Sequence, residues 1–272
     1  MRVEAARAAG CTVMWRHRDL ITQLVKRDVV GRYRGSLLGL FWSFLHPLFM
    51  LLVYLFVFGI VFKIKWGVAP AGGGKEFGVI LFSGLILHAL FAECLVRSPG
   101  IIPGNVQFVK KVVFPLEVFP VMIVCTSLFH FCIGFLLLFI FNSLSDFTVH
   151  ATILFAPVVV LPIALLALGL GWILASVGVF VRDVGQITGI LATVLLFLCP
   201  IFYPIDRVPE HLRWLLYFNP LTLIVGQFRN IVIFGRSPDW GPLAVYYVIS
   251  LVVLRIGYKW FQRTRKAFAD VL

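Results

Sequence analysis

Apolar positions along this chain gather into long blocks separated by short polar stretches. The blocks fall at residues 37–62, 77–96, 118–141, 151–181, 184–202 and 242–260. At a rise of ~1.5 Å per residue, each predicts a helix able to cross a hydrocarbon layer ~30 Å thick, and the fourth has length to spare for tilt. Pro47, Pro157 and Pro162 lie inside these blocks, so neighbouring helices must satisfy the carbonyls that proline leaves without a donor. Ahead of the first block, residues 17–34 follow a different pattern. Leu20, Ile21, Leu24, Val25 and Val29 share one helical face, while Arg16, Gln23, Lys26, Arg27 and Asp28 fall mostly elsewhere. That period predicts an amphipathic helix in the membrane interface, its apolar side toward the acyl chains. The other reading, a helix packed on a soluble core, lacks a core to receive it.

Residues 203–241 break the pattern. They open with YPIDRVPEHLRW, too polar to span, and continue with LTLIVGQFRNIVIF from Leu221 to Phe234. As a helix this second piece would reach only ~21 Å, and it carries Gln227, Arg229 and Asn230. A re-entrant or interfacial helical hairpin fits better than a seventh span. The fold class predicted is an all-α integral membrane protein: six transmembrane helices, an N-terminal amphipathic interface helix and an external hairpin before the last span, in a single domain over residues 1–272.

Composition agrees. The chain is 61% hydrophobic and 13% charged, with a mean hydropathy of +1.00, outside the soluble range. The net charge of +12 could suggest a nucleic-acid partner. The basic residues, however, sit beside apolar blocks, which points to the positive-inside rule and to anionic lipid heads. Of the 24 Lys and Arg, seventeen lie in the tail to Ser36, the 97–117 loop, at Arg182 and at the C-terminal end; Lys63, Lys65, Lys75, Arg207, Arg213, Arg229 and Arg236 lie on the other side. Six spans with both termini cytoplasmic follow from that bias. Residues 1–36 carry charges throughout, with no small-residue cleavage site after a short apolar core, so no cleavable signal is expected. The five cysteines, Cys11, Cys94, Cys125, Cys132 and Cys199, show no metal-type spacing and read as small hydrophobes.

Candidate chemistry is sparse. His46, His88, Glu93 and His130 are the acid–base candidates within spans, and intramembrane ionisable groups are functional candidates by default. His88 and Glu93 are five residues apart and do not share a helical face. Arg97 can pair with Glu93 at i,i+4; structural pairing and a place in a transport path both remain open for Glu93. Gly72-Gly73-Gly74-Lys75 resembles a phosphate loop only superficially, because Glu76 stands where a hydroxyl should follow and the strand-to-helix setting is missing. It reads as a flexible turn, and the chain is expected to have no ATP site of its own. Gly31, Gly35 and Gly39, and again Ala167, Gly171 and Ala175, recur every four residues, a spacing that lets helices approach closely, in a dimer seam or within one subunit. Residues 97–120, RSPGIIPGNVQFVKKVVFPLEVFP, hold a short basic helix between Pro and Gly breaks. That is a suitable lever for a partner protein, or a basic loop facing lipid heads.

The string RDVVGRYRGSLLGLFWSFLHP (Arg27–Pro47) resembles the entry of the permease subunits of ATP-binding-cassette polysaccharide exporters, which move O-antigen, capsule-like or teichoic acid chains. NVQFVKKVVFPLEVFP (Asn105–Pro120) is similar to that family's cytoplasmic loop before its third span, and Phe180, Arg182 and Asp183 to its pattern after the fourth. CPIFYPIDRVPEHLRWLLYFNP (Cys199–Pro220), with Arg229 beyond, resembles its external hairpin; Cys199 departs from it where a small hydroxyl residue is expected. The resemblance covers nearly the whole chain in order.

It implies a multi-pass protein of the bacterial inner membrane, working as a homodimer with two copies of a separate ATPase subunit. ATP and magnesium would sit on that partner, and the substrate would be a polysaccharide on a polyprenyl diphosphate lipid. By the same resemblance, Asp28, Asn105, Phe108, Lys110 and Lys111 are candidates for coupling to the ATPase. From chemistry, aromatic faces suit sugar C–H surfaces, which makes Phe41, Trp42 and Tyr54 candidates for the polymer path, although aromatic residues are also common lipid anchors. Arg32 and Arg34 would meet the lipid diphosphate, since guanidinium binds phosphate bidentately, or else ordinary head groups. A drug or small-lipid exporter of the same architecture is the runner-up. A membrane transferase for lipid-linked sugars would need clustered carboxylates or histidines, and Glu93, Asp183 and Asp206 are dispersed in sequence. A secondary transporter would favour internal repeats, and the two halves show none.

Overall fold

The structure is a computed structural model that describes residues 17–61, 74–110, 114–144 and 150–272. Outside these fall the tail with Cys11, the Gly72-Gly73 pair, Lys63, Lys65 and Lys111. Helix α1 (Arg18–Tyr33) is followed by a turn and a 3-10 segment at Gly39–Phe41, then by α2 (Trp42–Tyr54), which widens to π geometry over Leu55–Val61. Next come α3 (Gly74–Ile101), the short α4 (Val106–Val109) and α5 (Val118–Leu144). A 3-10 turn at Ala151–Phe155 leads into α6 (Ala156–Phe180), followed by α7 (Val184–Leu198). The chain closes with α8 (Arg213–Tyr217), α9 (Pro220–Val232), α10 (Trp240–Thr264) and α11 (Phe268–Val271). The described residues are helical or irregular, and five of their helices are long and apolar enough to cross a membrane; α7, at 15 residues, is a shorter apolar helix.

Helix α3 is central, touching α2 and its π extension, α5, α6, α7 and α9. Its side chains from Phe77 to Leu90 are mostly buried. The tightest seam lies between α6 and α10. A Cβ at Gly169 would come within 2.7–2.8 Å of the Leu254 backbone, and one at Gly257 would fall onto the Gly169 carbonyl. Gly178 likewise admits the Pro99 backbone of α3. Ala167, Gly171 and Ala175 are buried within this chain, with Gly171 facing Ser98 and Pro120, so this stripe packs helices inside one subunit. Gly31, Gly35 and Gly39 have open space around them; Gly35 (φ 87°) and Gly39 (φ 51°) shape the turn between α1 and α2.

Pro162 cannot donate to the Val158 carbonyl one turn back. The Tyr247 hydroxyl of α10 donates to that oxygen at 2.6 Å, so the neighbouring span supplies the missing hydrogen. Helix α7 stops at Leu198, four residues before the predicted end, because Cys199 precedes Pro200 and takes an extended conformation (φ −88°, ψ 138°). The apolar face of α1 differs from expectation. Ile21 and Leu24 are buried in the main hydrophobic core and α1 lies against α5, so protein rather than acyl chain covers this face.

The polar segment before the last span folds into α8 and α9 and is held by internal hydrogen bonds. Asn219 caps α9, accepting from the Leu221 amide at 3.0 Å and donating to the Leu195 carbonyl at 2.7 Å. Gln227 donates to the Asp239 carboxylate at 3.1 Å and accepts from its amide at 2.9 Å. Arg229, 5% exposed, donates to the carbonyls of Ile80, Pro200 and Ile201 at 2.7–3.2 Å. A guanidinium with its donors spread over main-chain oxygens is tolerable in an apolar interior, and it ties α9 to α3 and to the turn after α7.

Candidate functional site

A cavity of 710 Å³ opens between the end of α1, the start of α2, and the facing sides of α3 and α5. Its polar lining comes from Arg32, Tyr33, Ser36, Ser43, His46, Glu93, Ser127 and His130, and Trp42 and Phe131 add aromatic faces. Each side chain gets there for a local reason. Arg32 and Tyr33 lie in the last turn of α1; the glycine-shaped turn then brings Trp42, Ser43 and His46 back across the opening on the first two turns of α2. Glu93 and His130 project from α3 and α5, whose long contact fixes their distance.

Glu93 is the hub. One of its oxygens, Oε1, accepts from Arg32 and, at 3.0 Å, from Arg97. The other, Oε2, stands 3.3 Å from His130 Nδ1. Arg97 also donates to Asp28 at 2.7 Å, and Tyr33 Oη lies 3.5 Å from His130 Nε2. The charges of the two carboxylates and the two guanidiniums sum to zero. That balance lets four ionised groups sit half-buried at the edge of an apolar bundle, where an unmatched one would be costly. Partial burial raises the Tyr33 phenol above its ordinary range, with Arg32 lowering it and Glu93 raising it. The i,i+4 pairing of Glu93 with Arg97 expected from sequence is present. The partners from α1 and α5 were not anticipated. The usable signal was the rule that an ionisable group inside an apolar span needs a complement on an adjacent helix. His88 lies outside this network and hydrogen-bonds the Ala192 carbonyl of α7 at 2.9 Å.

The candidate residues divide between the cavity and elsewhere. Arg32 and Trp42 line it. Arg34 is exposed at the turn. Phe41 is exposed and rests against Phe44 at 5.9 Å, and Tyr54 is half-buried against Phe58 at 6.4 Å; neither lines the cavity. Asp28 is engaged by Arg97. Asn105 donates to the Ile101 carbonyl at 2.8 Å. Phe108 packs on Phe114 and Phe119 at 4.6 and 5.8 Å, with the Arg27 guanidinium over its ring. Lys110 is exposed, and Lys111 falls outside the described residues. The network thus fastens α1 to α3, and the Arg27–Phe108 contact fastens α1 to the loop beyond.

The model of the family described as "ABC-2 type transporter" matches residues 19–233, a stretch that takes in the cavity, the loop through α4 and helices α8 and α9. The chain belongs to the ABC-2 type transporter family. This ABC-2 chain is 29% identical over 260 residues to the O-antigen export system permease protein RfbA of Myxococcus xanthus, covering 94% of the chain and 96% of that protein. It is 25% identical over 256 residues to RfbA of Klebsiella pneumoniae (93% and 95% covered). It is 26% identical over 247 residues to the polysialic acid transport protein KpsM of Escherichia coli (90% and 93% covered). The ABC-2 assignment makes the chain a transport subunit.

Proposed function

We propose that this chain is the transmembrane subunit of an ATP-driven exporter of polyprenyl-diphosphate-linked polysaccharide, O-antigen type first. The observation that carries the reading is end-to-end similarity to permeases named for O-antigen export and polysialic acid transport. The cavity is consistent with it: Trp42 offers a face for sugar C–H surfaces, and the serine and histidine groups around it offer hydrogen bonds. The working unit is a homodimer with two copies of a separate ATPase subunit that binds ATP and magnesium. It sits in the bacterial inner membrane with six spans, α7 being the fifth, both termini cytoplasmic, and α8 and α9 forming a re-entrant hairpin on the outer side.

On this reading α1 and the loop through α4 face the ATPase. Asp28, Asn105 and Phe108 would act by stiffening that surface, through Arg97, the Ile101 carbonyl and the Phe114–Phe119 cluster. Lys110 and Lys111 would supply its charge. The test is co-purification with a co-expressed ATP-binding-cassette ATPase subunit, followed by ATP hydrolysis with and without lipid-linked polymer. A stable complex whose rate responds to the polymer is expected. An isolated chain that associates with no ATPase and modifies a lipid-linked sugar by itself would overturn the reading in favour of a transferase.

A further inference from the structure

Arg32 is a cation at the mouth of a 710 Å³ cavity, and its charge is already neutralised by a carboxylate of the protein. Glu93 has two other basic or polar neighbours to fall back on, Arg97 at 3.0 Å and His130 at 3.3 Å. Arg32 can therefore be released without leaving Glu93 bare. Arg97 in turn is shared with Asp28 at 2.7 Å, so the strength of its hold on Glu93 depends on Asp28. Around these charges the cavity wall offers Trp42 and the hydroxyls of Tyr33, Ser36, Ser43 and Ser127, groups that suit a sugar better than an acyl chain.

We propose that this cavity binds a diphosphate-bearing sugar head group by anion exchange, the diphosphate taking Arg32 from Glu93 while Glu93 falls back on Arg97 and His130. The inference rests on the lipid-linked polysaccharide reading above and adds to it the occupant of the resting site and the order of exchange. Glu93 is then a specificity-determining residue. A singly charged phosphate ester competes poorly with a carboxylate already in place, whereas a diphosphate, with more charge and more acceptor oxygens, displaces it. Exchange also breaks the ion pair between the end of α1 and α3, so occupancy of the cavity is felt at the helix assigned to the ATPase surface.

The test is equilibrium binding to the purified full chain with its ATPase in nanodiscs. The probes are undecaprenyl diphosphate bearing one sugar, inorganic diphosphate, and phosphatidylglycerol as the competing anionic lipid. Glu93→Gln removes the resident anion and is expected to tighten binding of the sugar-bearing lipid about tenfold, the effect of ~1.4 kcal/mol. Arg32→Gln is expected to abolish the gain. Asp28→Asn keeps Glu93 in place but turns Arg97 wholly toward it, and is expected to tighten binding about threefold; it keeps the proposal testable if Glu93→Gln does not fold. Phosphatidylglycerol should bind equally to all forms. If inorganic diphosphate binds as tightly as the lipid, the sugar part of the proposal is overturned. Unchanged or weaker binding in both carboxylate variants overturns the exchange, while a polymer-responsive ATPase rate would still support export. No binding of the lipid by the wild type overturns the site itself, and export is then judged by that ATPase assay alone.

Discussion

The two ends of helix α3's neighbourhood are built on opposite principles. On one side α6 and α10 meet backbone to backbone through Gly169 and Gly257, with no room for a methyl group. On the other, the end of α1 meets α3 beside an open cavity, through the ion pairs of Arg32 with Glu93 and Asp28 with Arg97. Contact between backbones has essentially one arrangement, because a shift of a fraction of an ångström is a clash. A set of ion pairs with surplus partners has several arrangements of similar energy. A transporter needs both kinds of contact, one to keep its frame and one to change state, and here they are spatially separate.

The largest expected effect breaks the first kind. Gly257→Leu would drive a side chain into the Gly169 carbonyl, and loss of the folded chain, at least ~3 kcal/mol, is expected in thermal unfolding in detergent. Arg229→Leu comes next. It strips donors from the Ile80, Pro200 and Ile201 carbonyls, and a loss of about 3 kcal/mol is expected in the same assay. Tyr247→Phe leaves the Val158 carbonyl beside Pro162 without its donor and should cost about 1 kcal/mol. Trp42→Ala, on the open side, should cost under about 1 kcal/mol of stability because the residue is 39% exposed. Stimulation of ATP hydrolysis by lipid-linked polymer should nevertheless fall several-fold. If Trp42→Ala instead proves as destabilising as Arg229→Leu, the division between frame and moving part is wrong.

Five of the six predicted blocks are helices of membrane length, legible because apolar runs of that length have few alternative fates. Their ends were less so. Helix α3 continues past the predicted end at Val96 to Ile101, carrying Arg97 and Pro99. Asp28 and Glu93 neutralise the arginine, and Gly178 makes room for the proline. Helix α10 likewise runs on to Thr264, because Phe261 is buried against Phe268. Part of the cavity lining stands out in the sequence: Arg32 and Trp42 from phosphate and sugar chemistry, and His46, Glu93 and His130 as ionisable groups in apolar blocks. The rest depends on which helices are neighbours. His130 meets Glu93 only because α5 lies along α3, and one-dimensional spacing carries no record of that. The apolar face of α1 was legible as a face, but what covers it was not, since lipid and protein select the same residues.

The hydrogen bond from Tyr247 to Val158 joins residues 89 positions apart. A ribosome adding ~5–20 residues per second needs roughly 4–18 s to travel that distance. Until Tyr247 has been made and has reached its place, the Val158 carbonyl beside Pro162 lacks this donor. The last span to be made is the one that completes the fourth.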